Sequence, residues 1–205
     1  MYSLKIENLA KRFGPRKVFA DINFELQTGG SIAIVGPNGS GKSTLVKVIL
    51  GLLRPTLGTV GFSLDGKNMT ESETRSRTSF VAPYLSLYDH LSGEENLKFF
   101  SAVAGDHVTG KEINALLARV GLEGRGTDYL ADYSSGMKQR LKYAVALLNK
   151  PDFLFLDEPT SNLDEEGKGM VSQLVEQYRK QSMVVLATNE PQEYGFAEQI
   201  CRLGG

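Results

Sequence analysis

Within Gly36-Pro37-Asn38-Gly39-Ser40-Gly41-Lys42-Ser43-Thr44, the eight residues up to Ser43 fit the pattern GxxxxGK[ST]. Glycines at this spacing let backbone N–H groups turn inward around an anion, and the lysine can reach the β and γ oxygens of a nucleoside triphosphate. Ser43 then offers a hydroxyl to Mg²⁺. Far downstream, Phe153-Leu154-Phe155-Leu156-Asp157-Glu158-Pro159 is an apolar run ending in two carboxylates. Asp157 stands where it can bind the magnesium through water, and Glu158 where it can polarise an attacking water. Alone, a strand ending in Asp-Glu reads as a surface turn. It gains weight here because it follows a phosphate loop.

That loop needs a strand before it and a helix after it. Ser31-Ile32-Ala33-Ile34-Val35 is a short apolar run bounded by glycine, as expected of a strand buried on both faces, and the apolar positions Leu45, Val46, Val48, Ile49, Leu52 and Leu53 continue from Lys42 as a helix. Ahead of it, Leu4, Ile6 and Leu9 and then Ile22 to Leu26 alternate as two strands around Phe13-Gly14-Pro15, and a second antiparallel stretch runs from about 59 to 68 with Asp65-Gly66 as its turn. A strand at 79–81 follows. Residues 92–149 show helical periodicity only, with helices expected at 94–104, 111–120 and 137–148. Strand 153–156, helix 165–180, strand 183–187, a short helix from Pro191 and a last strand near Ile200 restore an α/β alternation, which implies a mostly parallel sheet.

Composition narrows the function classes. With 23 Lys+Arg against 24 Asp+Glu the net charge is −1, so there is no global basic field for nucleic acid or an anionic membrane. No stretch reaches 18 consecutive apolar residues, so membrane association is expected only through a partner. A single cysteine, Cys201, precludes an intrachain disulfide, and the N-terminal residues lack a signal-peptide layout, which together predict a cytoplasmic location. Cys201 reads as an ordinary small apolar residue and His107 as a solvated loop residue.

The order of these motifs resembles an ATP-binding-cassette (ABC) nucleotide-binding domain from about Tyr2 to Leu203. Tyr133-Ser134-Ser135-Gly136-Met137-Lys138-Gln139-Arg140 resembles the signature LSGGQ, and Ser161-Asn162-Leu163-Asp164 the D-loop that connects two sites. The resemblance implies a single domain, 1–205: an α/β, RecA-like P-loop core with an N-terminal antiparallel β layer (1–91 and 150–205) and an inserted helical signature subdomain (92–149). It implies ATP and Mg²⁺ bound at Asn38, Gly39, Ser40, Gly41, Lys42, Ser43 and Thr44, with Ser43 and Asp157 on the metal and Glu158 and Lys42 catalytic. Phe13 takes the place of the aromatic that stacks on adenine, the alternative being a plain hairpin-core residue. Ser134 and Gly136 would act in trans on the γ-phosphate of the other subunit, across a head-to-tail dimer holding two ATP molecules.

Three positions depart from the family pattern. Aligned through Leu87-Tyr88-x-x-Leu91-Ser92, Pro83 replaces a glutamine that touches Mg²⁺ and the attacking water, and no glutamine lies between Gln27 and Gln139. Asn189 replaces a histidine at the γ-phosphate. It can donate a hydrogen bond but carries no positive charge. Ser135 replaces the first signature glycine, a milder change.

The resemblance therefore implies the ATPase subunit of a membrane transporter, peripheral on the cytoplasmic face, partnered by a transmembrane permease subunit and by a second ATP-binding subunit as a homodimer or heterodimer. The stretch from Tyr133 to Asp164 is more similar to exporters of the ABC-2 type, heme- or drug-exporter-like subunits among them, than to importers. Tyr84, Leu85, Leu87 and Tyr88 offer either an apolar rim for the permease or packing for the helical subdomain. The alternative, motivated by Pro83 and Asn189, is a hydrolysis-impaired ATP-dependent clamp or regulatory module. Soluble ABC proteins of DNA repair or iron–sulfur assembly fit less well, since no coiled-coil arm, zinc cluster or basic face is visible.

Overall fold

Alternating apolar residues make the first two strands, β1 (Tyr2–Phe13) and β2 (Arg16–Gln27), an antiparallel hairpin that buries Leu4, Ile6 and Leu9 of one strand against Phe19, Ile22 and Leu26 of the other. In the computed structural model, which describes residues 1–204, this hairpin belongs to a four-stranded antiparallel sheet in the order β2-β1-β4-β5. Gly205, the last residue of the expected 1–205 domain, lies outside the described residues. The strand β3 (Ser31–Val35) leads into α1 (Lys42–Ile49), and β4 (Leu57–Leu64) with β5 (Lys67–Asn68) closes the sheet through the expected Asp65-Gly66 turn.

A six-residue helix, α2 (Glu71–Ser76), separates this layer from β6 (Thr78–Val81). The sequence reading contains no such helix. It buries no residue, so it has no apolar stripe to detect, and a Thr70–Glu73 capping box holds it. The helices α3 (Gly93–Val103), α4 (Gly110–Arg119) and α5 (Ser135–Leu147) fill the stretch read as helical, which pairs as strand only in one bridge between Ser92 and Tyr129. Then come β7 (Phe153–Asp157), α6 (Glu165–Tyr178), β8 (Met183–Thr188), a 3₁₀ turn (Pro191–Phe196) and β9 (Gln199–Arg202).

The second sheet has five strands in the order β6-β7-β8-β3-β9, and every neighbouring pair is parallel. Its two faces explain the unbroken apolar runs. Ile32 and Ile34 of β3, with Phe153 and Phe155 of β7, pack against the antiparallel layer and α1, whereas Ala33 and Val35, with Leu154 and Leu156, pack against the helices. Phe153 meets Tyr2 and Phe62 edge-on, with centroids 5.3 and 4.9 Å apart, which locks one sheet onto the other. The helical stretch shares a continuous core with the sheet through Leu97, Ile113, Leu117 and Leu141. Each such fully buried side chain contributes about 1.5–3 kcal/mol.

Candidate active site

The loop between β3 and α1 curls around its own lysine. Lys42 is 5% exposed, and its Nζ donates to the carbonyls of Gly36 (2.9 Å) and Pro37 (3.1 Å). Two of three ammonium protons are thus spent on fixing the side chain, and the third remains for a ligand. Gly41 has φ 101°, and a Cβ there would stand 2.5 Å from Val18 Cγ1 at the start of β2. Only glycine allows the hairpin to lie this close to the helix N-terminus. After β9, Leu203 donates its N–H to the Val35 carbonyl at 2.8 Å, so the end of the chain is stitched to the base of the loop.

Ser43, in the first turn of α1, donates its hydroxyl to Asp157 Oδ1 at 3.0 Å across 114 residues of sequence. Asp157 is 1% exposed, at the end of β7. Its other oxygen, Oδ2, accepts from the Tyr84 hydroxyl at 3.2 Å. Burial, then Asp157, pushes the Tyr84 phenol well above its ordinary pKa, so it stays protonated and a donor. A hydroxyl beside a carboxylate is the hard oxygen set that suits Mg²⁺, which takes one or two protein ligands and completes its shell with water and phosphate. Among the described residues no three His, Cys, Asp or Glu side chains converge into a protein-only metal cage. The residues present therefore fit a magnesium held jointly with a phosphate ligand.

Glu158 follows with φ 48°, its N–H bonded to the Ala187 carbonyl at 2.8 Å. The left-handed conformation turns its half-buried side chain out of the strand direction. Glu158 and Asn189 line one cavity of about 350 Å³, together with Ser161, Asn162, Glu190 and Glu193. Its walls come from the loops after β7 and β8 and from Lys168 of α6. Glu193, 3% exposed, accepts from the Thr160 hydroxyl and from the Thr160 N–H (3.2 Å), while its Oε2 has no partner. Tyr143 of α5 donates to the Pro159 carbonyl at 2.7 Å, and its phenol is pushed up by burial and by Glu193. The loop after β7 is thereby fastened on both sides.

Ser134 caps α5, accepting the Met137 N–H at 3.2 Å, and is exposed. Gly136 lies beside the Asn162 carbonyl, 3.2 Å from where a Cβ would be. Neither hydrogen-bonds to the 36–44 loop of its own chain. Asp164 caps α6 through the Gly167 N–H (2.9 Å) and pairs with the buried Arg140 of α5 at 2.8 Å. The Gly167 amide first, then Arg140, holds its carboxyl below the usual range. Phe13 is 50% exposed with Lys11 Nζ 4.8 Å from its ring centroid, which corrects the hairpin-core alternative. Tyr88 is exposed within an edge-to-face cluster with Phe99, while Pro83 is half-buried and supplies no polar side chain. Cys201 is half-buried, its thiol pushed up by burial.

Sequence reasoning missed four groups: Tyr84 at Asp157, the Thr160–Glu193 contact, the Arg140 pairs and the Leu203 stitch. Only Tyr84 left a local signal. Tyr84 stands three residues past the end of β6, and its side chain, not that of Pro83, reaches Asp157.

Residues 19–161 match the family model described as ABC transporter. The chain is 34% identical over 186 residues to a lantibiotic transport ATP-binding protein of Streptococcus pyogenes, covering 91% of this chain and 79% of that one. It is 34% identical over 194 residues to a linearmycin resistance ATP-binding protein of Bacillus subtilis, covering 93% of this chain and 62% of the relative. A solved dimeric ATP-binding cassette, in a post-hydrolysis state with ADP and Pi, superposes with a TM-score of 0.83 at 26% identity over 98% of this chain and 94% of that one. No described helix is long and apolar enough to cross a membrane. The family model and the relatives agree, and the chain belongs to the ABC transporter family as an ATP-binding subunit.

Proposed function

We propose that this subunit hydrolyses ATP with Mg²⁺ and, dimerising head-to-tail around two nucleotides, drives a separate permease subunit in export. The observation that carries the reading is the Ser43–Asp157 hydrogen bond, which joins the phosphate-loop helix to the strand bearing Glu158. Phe13 stacks on the adenine, the loop amides of Asn38 to Thr44 surround the β-phosphate, and the free proton of Lys42 goes to a phosphate oxygen. Ser43 and Asp157 hold the ion, which when bound neutralises and orients the phosphate oxygens. Glu158 accepts a hydrogen bond from the attacking water and draws off its proton, while the Asn189 amide donates to the γ-phosphate. Ser134 and Gly136 reach the γ-phosphate of the partner subunit's ATP. The solvent exposure of Ser134 at the N-cap of α5 supports a role across a dimer rather than within one chain. The all-helical 92–149 stretch serves as the signature subdomain on a core formed by 1–91 and 150–205.

Export is supported by the Tyr133–Asp164 motifs and by the resistance function named for the Bacillus relative. The subunit sits on the cytoplasmic face and meets the bilayer only through its permease, whose contact surface is the exposed patch formed by Tyr88, ahead of α3, and Phe99 on it.

ATP turnover by the purified chain, beside Glu158→Gln and Lys42→Ala, tests this. The reading requires turnover in the wild type, ATP binding without turnover in Glu158→Gln, and lost binding in Lys42→Ala. If wild type binds ATP but is as inert as Glu158→Gln, even with a permease present, the clamp reading replaces it. The uncharged Asn189 in the Glu158 cavity is the observation that favours that second reading.

A further inference from the structure

Asp157 is held at both oxygens, and only one of its partners belongs to the phosphate-loop motif. Ser43 takes Oδ1, and the Tyr84 hydroxyl takes Oδ2. Each oxygen has a second lone pair, so both hydrogen bonds are compatible with a cation or its water ligands on the same carboxylate. Without Tyr84, Oδ2 would have no protein donor, and the group could rotate about its terminal torsion, which is broad and two-fold.

The tyrosine is itself braced. Lys47, one turn along α1 from Ser43, places its ammonium 4.3 Å from the Tyr84 ring centroid, and Phe80 of β6 meets the ring edge-on at 6.2 Å. The backbone just before it is fixed too, since Lys142 of α5 donates to the carbonyls of Ala82 (3.4 Å) and Pro83. Further along the loop, Tyr88 and Asn96 of α3 exchange hydrogen bonds, Tyr88 N–H to Asn96 Oδ1 at 2.9 Å and Asn96 Nδ2 to the Tyr88 carbonyl at 3.1 Å. The phenol therefore comes from a segment anchored to α1, α3, α5 and β6 together. The ring itself is half exposed, and it is the hydroxyl and the backbone before it that are held.

We propose that Tyr84 is a positioning residue for the divalent-cation site: its hydroxyl orients Asp157 toward the metal, acting as donor rather than metal ligand. The proposal rests on the Mg–ATP reading of the site. It gives the loop carrying Tyr88, on the face assigned to the permease, a direct hydrogen-bonded route to the metal carboxylate. Displacing that loop would release Oδ2.

The test uses the full chain and its Tyr84→Phe variant, which removes one hydroxyl and keeps the ring against Lys47 and Phe80. Mn²⁺ binding is followed by electron paramagnetic resonance with a non-hydrolysable ATP analogue, and affinity for a fluorescent ATP analogue is measured separately in EDTA. Loss of a group that orients a metal ligand costs about tenfold in metal affinity. Tyr84→Phe should therefore weaken nucleotide-dependent Mn²⁺ binding by about that factor, with metal-free nucleotide affinity unchanged. Ser43→Ala serves as the control that loses metal. If Tyr84→Phe binds Mn²⁺ as tightly as wild type while Ser43→Ala does not, Tyr84 has no positioning role and the Mg–ATP reading stands. If wild type itself shows no nucleotide-dependent Mn²⁺ binding, that reading fails and the role of Tyr84 falls with it. A tenfold loss in metal-free nucleotide affinity would also overturn it, by showing that Tyr84 serves the loop in general.

Discussion

Replacing Thr160 by valine removes one hydroxyl from the loop after β7 and little else in shape. That hydroxyl donates to Glu193 Oε1, and the carboxylate is 3% exposed with Oε2 unpartnered, so it has two protein donors in total, the Thr160 hydroxyl and N–H. Leaving a buried polar group without its partner costs about 1–3 kcal/mol. Thr160→Val should lower stability by about 2 kcal/mol in urea unfolding at pH 7, a fall of about 4–8 °C in melting temperature for a chain of this size. Glu193→Gln and the double variant complete a cycle, in which the coupling should exceed about 0.5 kcal/mol because the two groups touch. ATP turnover should fall further than ATP affinity, since Thr160, Glu193, Glu158 and Asn189 all line one cavity. A loss below about 0.5 kcal/mol, or strict additivity in the cycle, refutes the reasoning.

Phe13 is half exposed, so Phe13→Ala should leave the melting temperature unchanged but cost about 1–3 kcal/mol in ATP affinity if the ring stacks on the base, as equilibrium titration would show. Asn189→His brings an ionisable donor to the Glu158 cavity and should raise turnover by about 10- to 100-fold; an unchanged rate would show that the amide already suffices. Glu73, Glu95, Glu112 and Asp164 all cap helices, and hydrogen bonds from backbone amides and from Thr70, Ser92, Thr109 or Arg140 hold their carboxyls below the usual range. Their stabilisation is thus complete above the unfolded value, near 4.5 for the glutamates, and is lost as pH falls through the lower folded values. Urea midpoints should be flat from pH 7 to 5 and drop below about 4, whereas a drop already at pH 6 would point to another group.

Most of the architecture was legible because hydrophobic period is a local property. Strict alternation gave the antiparallel layer, and the unbroken run at 31–35 gave a strand covered on both faces. The three- and four-residue spacing gave the helical stretch within a residue or two of α3, α4 and α5. Among the described α-helices α2 escaped, since a helix with no buried face leaves no period to read, though its Thr70-x-x-Glu73 capping box was visible in principle. The phosphate loop was legible for a different reason: its chemistry needs eight contiguous residues, and contiguity survives in a sequence.

The amino-acid sequence by itself determined which side chains can bind phosphate, which strand carries the carboxylates, and that Asn189 brings no charge. Tertiary structure alone decided what meets what. Tyr84 lies 73 residues and Ser43 114 residues from Asp157, and both arrive because the strand order puts β6 beside β7 and the phosphate-loop strand two places away. Leu203 reaches Val35 for the same reason, as β9 is the other neighbour of β3. Strand order and loop path are set by packing across the whole sheet, whereas periodicity reports only the faces of single elements, so a contact spanning such distances leaves no local trace.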